Sequence, residues 1–256
     1  MNKEIISNYY FVIKQISYKE NKKHVDEANL GKLWNVLNPF FYMVILSLYY
    51  ENIIIHDIPK FPVFAFVGVL LFNYYKSSTV GAMKSIVNSK NLLIKSKVPI
   101  IVFILQKIFY GFKEFLFGTI ALIPVLIFFH VQITPRIVEI IPVLLITTVI
   151  ITSIGVILAI EFVNFSDIEY LYTVFMSLMI FISGVFIPLN HLPERLQFVM
   201  RYNPIFLTIY IFRNALIYDL PSHWTAWIKL ILWAIFFSML AYRVYDKNID
   251  SCVNRL

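Results

Sequence analysis

Cysteine occurs once in this chain of 256 residues, at position 252, so no intrachain disulfide can form and cysteine usage carries no signal of redox compartment. Charge is scarce as well: Asp, Glu, Lys and Arg together make up 14% of the residues, against about a quarter in an average soluble domain. Glycine is confined to positions 31, 68, 81, 111, 118, 155 and 184, and none precedes a Lys-Ser/Thr pair at phosphate-loop spacing. The nucleotide-cradling device is therefore missing. The five histidines are isolated, and the sequence has no His-Glu-x-x-His pattern, Cys/His cluster or Gly-x-Ser-x-Gly elbow. No catalytic, metal-binding or cofactor-binding residue is assigned on this basis.

Apolar residues fill the space instead, at 59% of the chain with a mean hydropathy of +0.75. Uncharged stretches run over 33–50, 61–75, 115–134, 140–160 and 170–191, and a last one over 224–242 is broken by Lys229 alone. A hydrocarbon core of roughly 30 Å takes about 20 helical residues to cross. The expected fold is an all-α membrane protein of six spans. An N-terminal amphipathic interfacial helix and short re-entrant external helices before the last span complete it. One membrane domain covers 1–256, with 1–32 as a cytoplasmic interfacial arm, 33–245 as the bundle and 246–256 as a cytoplasmic tail. The arm has no apolar core with a small-residue cleavage site, so a cleavable signal peptide is not expected.

Basic residues give the orientation. Lys3, Lys14, Lys19, Lys22, Lys23 and Lys32 precede the first span, Lys76, Lys84, Lys90, Lys95 and Lys97 follow the second, and Arg243, Lys247 and Arg255 close the chain. Lysine and arginine accumulate on the cytoplasmic side of a membrane protein, so both termini are expected there. The net charge of +7 is thus a topology signal, and a nucleic-acid partner is not needed to explain it.

Four segments depart from plain spans. Residues 8–20 place Tyr9, Val12, Ile13 and Ile16 at helical spacing with Lys14 and Lys19 on the other side, the pattern of a helix lying in the interface. Asn88 to Pro99 carries Leu92, Leu93 and Ile94 on a charged background, which suits either a docking knob or a solvated loop. Ile100 to Glu114 is interrupted by Lys107, Lys113 and Glu114; mid-bilayer charges cost about 2.5–3.5 kcal/mol each, so this stretch is expected at the interface or beside a wet cavity. Farther on, Ile205 to Phe212 is too short to cross, and Pro193 and Pro204 each suit the first turn of a short helix. Aromatic residues reach 17%, and many sit near span ends as an aromatic belt. Phe41, Tyr42, Tyr170, Tyr172 and Phe175 fall within spans or at their cytoplasmic ends, where ring faces can stack on sugars.

These segments resemble the permease subunit of ABC exporters for surface polysaccharides: O-antigen, capsule and teichoic acid. The approach to the first span, Leu30-Gly31-x-Leu33-Trp34-x-x-Leu37-x-Pro39, is similar to the family's. So is the cytoplasmic Asn91-Leu92-Leu93-Ile94-Lys95, with Pro99 following but without the usual Phe before it. The most specific match is the outer segment from Ile187-Pro188-Leu189 through Pro193-Glu194-Arg195 to Asn203-Pro204 and Arg213-Asn214-Ala215. In the loop after the fourth span the family's Arg-Asp is here Ser166-Asp167.

The resemblance implies a homodimer with an axial pore, two copies of an ATPase subunit that carry ATP and Mg, and a lipid-linked polysaccharide substrate. It implies ATPase coupling at Asn91, Leu92, Leu93, Ile94, Lys95 and Asp167, and an external gate at Pro193, Glu194, Arg195, Asn203, Pro204 and Arg213. The chain would sit among the lipids of the bacterial inner membrane as a transporter subunit without its own ATPase site. Teichoic-acid, drug or lipid permeases are the competing readings; the ten or so residues between the first two spans disfavour those with large external domains.

Overall fold

The computed structural model describes Leu37, Phe40, Phe41, Val44, Ile45 and residues 60–95 and 98–254. The expected interfacial helix at 8–20, the Leu30, Gly31, Trp34 and Pro39 motif, and Tyr42 lie outside the described residues, as does most of the first expected span. Every regular element among the described residues is helical. Eight α-helices follow in order: α1 (Phe61–Asn88), α2 (Lys90–Lys95), α3 (Ile100–Phe128), α4 (Ile140–Asn164), α5 (Ile168–Met179), α6 (Glu194–Met200), α7 (Pro204–Arg213) and α8 (Trp224–Asn254). A 3-10 turn at Pro135–Glu139 leads into α4, and α7 runs on as a π-helical turn at Asn214–Tyr218.

Four of these helices are long and apolar enough to cross a membrane: Phe61–Asn88, Ile100–Phe128, Pro135–Asn164 and Trp224–Ile249. Helices suit this setting because they satisfy their own backbone hydrogen bonds where no water is present to do so. α1 starts from Lys60, which adopts a left-handed conformation (φ 57°), with Pro62 inside its first turn. Pro99, which cannot continue a helix from behind, stands immediately before α3.

The bundle is built around α1. Side chains on α1 meet α3 in antiparallel order, Leu70 opposite Gly118, Ser78 opposite Gly111 and Gly81 opposite Lys107. They meet α4 in parallel order, Tyr74 at Thr148 and Ala82 at Gly155. A methyl added at Gly111 would strike Ser78, and one at Gly155 would come within 2.8 Å of Ala82, so small residues set how closely these helices approach. Tyr74 packs on Phe112 and Phe115 of α3 with ring centroids 5.9 and 5.3 Å away.

Hydroxyl pairs join the helices in one repeated way. Tyr74 donates to Thr148, Thr147 to Thr208 and Ser238 to Ser153, at 2.8, 2.9 and 3.1 Å. Each accepting hydroxyl sends its own proton to the carbonyl four residues back, at Leu144, Pro204 and Val149. The acceptor is thereby oriented by its own helix before the neighbour arrives.

Two expected boundaries shift. The third span, expected over 115–134, is part of one helix from Ile100 to Phe128 that includes Lys107, Lys113 and Glu114. Its 29 residues reach about 43 Å at 1.5 Å per residue, longer than the roughly 30 Å core, so Lys107 near its start can stand outside the hydrocarbon, while Lys113 and Glu114 lie midway along it. The uncharged run 170–191 is not one helix: α5 ends at Met179 after 12 residues, and turns occupy 180–184.

Candidate functional site

The ends of α1 and α4 and the starts of α3 and α5 come together at one pole of the bundle, with Lys84, Lys90 and Lys95. At this lysine-rich pole α2 is a separate short helix, tied to α1 because the Ser89 carbonyl accepts from the amides of Leu92 and Leu93, both at 2.9 Å. Its side chains divide: Asn91 is exposed, Leu92 and Ile94 are 53% and 66% exposed, and Leu93 is half-buried against the core. Lys95 closes the helix.

Asp167 stands exposed at the N-terminus of α5, where its carbonyl accepts from Tyr170 and Leu171. Two residues on, Glu169 pairs with Lys84, joining the start of α5 to the last turns of α1. One turn deeper, the Tyr172 hydroxyl donates to Thr79 at 2.8 Å, and Thr79 donates to the Tyr75 carbonyl at 2.8 Å. Beyond that Met176 is fully buried, the one buried residue of α5. The candidate glycan-stacking rings accordingly separate into types. Tyr170 and Phe175 are 74% and 49% exposed on α5, Phe41 is exposed ahead of α1, and Tyr172 has its hydroxyl engaged inside the bundle.

At the opposite pole the chain breaks after α5 and is held by side chains from elsewhere. Gly184 adopts φ 66°, a left-handed conformation that glycine enters without steric cost, and a Cβ there would also meet the Phe206 ring at 2.8 Å. The break leaves carbonyls without helical partners. Asn203 takes two positions there, its Nδ2 donating to the Ile182 carbonyl at 3.0 Å and to Ser183 Oγ at 3.1 Å. Its Oδ1 meanwhile caps α7 by accepting from the Ile205 amide at 2.9 Å, with Pro204 at the first helical position.

Arg213, at the far end of α7, is 4% exposed. Nη1 donates to the Gly184 carbonyl at 2.6 Å, Nη2 to Val185 at 2.8 Å and to Phe64 at 2.7 Å, and Nε to Phe64 at 3.1 Å. The guanidinium also lies 3.3 Å from the centroid of the Phe64 ring. Gly68 makes the room, since a Cβ there would strike Nη2 and approach the Val185 carbonyl to 2.9 Å. Arg213 is thus a backbone clamp between α1, the break and α7, with four of its donated bonds accounted for. Pro193, Glu194 and Arg195 lie apart from it, exposed at the start of α6.

The motifs pointed to Asn203, Pro204 and Arg213 but not to the groups they hold. Phe64, Gly68 and Gly184 carried no signal beyond being an aromatic and two scattered glycines, and Lys84 counted only as one more positive charge. Among the described residues no group of three or more His, Cys, Asp or Glu side chains is placed to hold a metal ion.

Comparison with known proteins adds the family. Residues 12–217 match the family described as ABC-2 type transporter. Over 238 residues, 89% of this chain and 91% of the relative, it is 25% identical to an O-antigen export system permease protein RfbA of Klebsiella pneumoniae. A second Klebsiella pneumoniae protein of that name is 23% identical over 236 residues, again 89% of this chain and 91% of the relative. One from Myxococcus xanthus is 33% identical over 81 residues, 32% of this chain and 31% of its own length.

Proposed function

Because this chain belongs to the ABC-2 type transporter family, we propose that it is the permease of an ATP-driven exporter that moves a lipid-linked, O-antigen-like polysaccharide across the bacterial inner membrane. The observation that carries this reading is its similarity, along nearly its whole length, to permeases named for O-antigen export. In this reading two copies of the chain form the pore, and two copies of a separate ATPase subunit bind ATP and Mg and drive it. The lysine-rich pole faces the cytoplasm under the positive-inside rule, with both termini on that side. The first span and the α5 segment with its following break complete six membrane segments. The short helices α6 and α7 lie at the outer mouth, where exposed Pro193, Glu194 and Arg195 border the exit and Asn203 and Arg213 hold its frame.

Docking is assigned to α2, supported by Leu92 and Ile94 standing exposed beside Lys90 and Asn91 at the lysine-rich pole. Asp167 is the second contact, brought near by the Lys84–Glu169 pair. Tyr170, Phe175 and Phe41 offer ring faces for weak, slidable stacking on sugars.

The test is copurification of the tagged chain with its neighbouring Walker-type ATPase. Leu92→Asp and Ile94→Asp, at exposed positions, should release the ATPase while the permease stays folded. Leu93→Asp is the poorer probe because Leu93 packs on the core. An ATPase that stays bound to both variants removes α2 as the docking site, and one that never copurifies with wild type removes the exporter reading.

A further inference from the structure

The twelve residues of α5 are attached unequally at their two ends. Apolar burial holds the helix weakly, since Met176 alone among them is buried while Tyr170, Leu171, Val174, Phe175 and Leu178 are exposed. Beyond its far end the backbone is fixed by Arg213 and Asn203. Withdrawing those donors would leave the buried Gly184 and Val185 carbonyls and the part-buried Ile182 carbonyl without partners. Near its start α5 is held to α1 by two lighter contacts. The Lys84–Glu169 pair is about a third exposed on each side, and such pairs contribute little and exchange readily. The Tyr172–Thr79 hydrogen bond lies one turn deeper.

These contacts sit close to α2. Lys84 is on the last turns of α1, Ser89 ends that helix, and the Ser89 carbonyl ties α2 to it. A force that shifts α2 therefore acts on the turn bearing Lys84 before it reaches any other part of α5's surroundings. We infer that Lys84–Glu169 and Tyr172–Thr79 form a latch through which loading of α2 sets the tilt of α5, with the Arg213-bound break as its pivot. This deepens the exporter reading and rests on it. Lys84, Glu169 and Tyr172 are positioning residues: they touch no substrate and act by deciding which state the exposed face of α5 adopts. The ion pair is closed in one state and open in the other, which supplies the difference between states that a bound partner needs in order to shift them.

The test uses the full chain with its ATPase, spin-labelled at Leu171→Cys near the latch end of α5 and Leu116→Cys on α3, both exposed, in a Cys252→Ser background. The label separation is measured with and without Mg-ATP and vanadate. In wild type the nucleotide should move the distance distribution. Lys84→Glu and Glu169→Lys should each keep the ATPase bound and lose the movement, and the combined swap should bring it back. If either single reversal fails to fold, Lys84→Gln and Tyr172→Phe remove one charge or one hydroxyl, and each should shrink the movement. Single variants that move as wild type does, or a swap that restores nothing, overturn the latch while leaving the exporter reading intact. An ATPase that does not copurify with wild type overturns both.

Discussion

Two of the long helices of the bundle, α1 and α8, have opposite relations to their surroundings. Of its most apolar window, α1 has 78% buried inside the protein, whereas α8 has 17%. Yet α1 is the less hydropathic of the two. In water the buried helix would be expected to be the more apolar one. In a bilayer the outside is as apolar as the inside, so burial follows shape and hydrogen bonding instead. α1 carries Gly68, Ser78, Thr79 and Ser85 along its buried length, which allow close approach and pairing. α8 turns Leu232, Ile235, Phe236 and Met239 outward, where lipid replaces protein without loss.

That contrast is broken hardest at Arg213. Arg213→Leu leaves the Gly184 and Val185 carbonyls unpaired and removes the extra donors on the Phe64 carbonyl of α1, and each unpaired buried group costs about 1–3 kcal/mol. A total loss of about 3 kcal/mol or more is expected by equilibrium unfolding in mixed micelles; a change near zero would mean that α1 is not anchored there. Gly68→Ala should come next, at about 1–3 kcal/mol by overpacking against Arg213 and Val185. Combined with Arg213→Leu it should cost less than alone, because Nη2 has gone, but not nothing, because the Val185 carbonyl still stands 2.9 Å from the added carbon. Additive losses would place the clash elsewhere.

Smaller effects sharpen the comparison. Tyr74→Phe on α1 deletes one interhelical hydrogen bond, for which about 0.6 kcal/mol is typical in membranes, and Thr148 keeps its own bond to Leu144. On the outward face of α8, Leu232→Ala and Met239→Ala should stay within about 0.5 kcal/mol of wild type in the same unfolding assay. A larger loss there would mean that α8 faces another protein surface instead of lipid.

Counting uncharged residues locates apolar helices well and their interruptions poorly. The run 140–160 became α4 with little change, and 224–242 became the core of α8. The run 170–191 looked equally continuous, but Gly184 turns left-handed and donors arrive from Asn203 and Arg213, so the helix stops at Met179. No count along one segment can register hydrogen-bond donors supplied by another. The charges at Lys107, Lys113 and Glu114 break up the uncharged run without breaking the helix: α3 passes through all three, with Lys107 near its start and Lys113 and Glu114 at its middle.

The candidate site was legible to the same degree. Pro204 read correctly as the first turn of a helix, and the structure adds that Asn203 before it is the cap. Arg213 stood out by its motif, but its burial could not be read from a sequence that gave no sign of Gly68 opposite it. Lys84 and Glu169 belong to segments 85 residues apart and meet only through the fold.

The clamp also has an order of assembly. Arg213 lies 149 residues beyond Phe64, whose carbonyl it binds, and follows Gly184 by 29. A chain made from its N-terminus delivers α1 and the break to the bilayer while the arginine is still undelivered or inside the ribosome. Until residue 213 enters, the Gly184 and Val185 carbonyls depend on water or on transient donors, so the middle of the protein is completed by its later part. Nascent chains arrested before and after that residue should accordingly differ in how protease reaches the 180–185 turns.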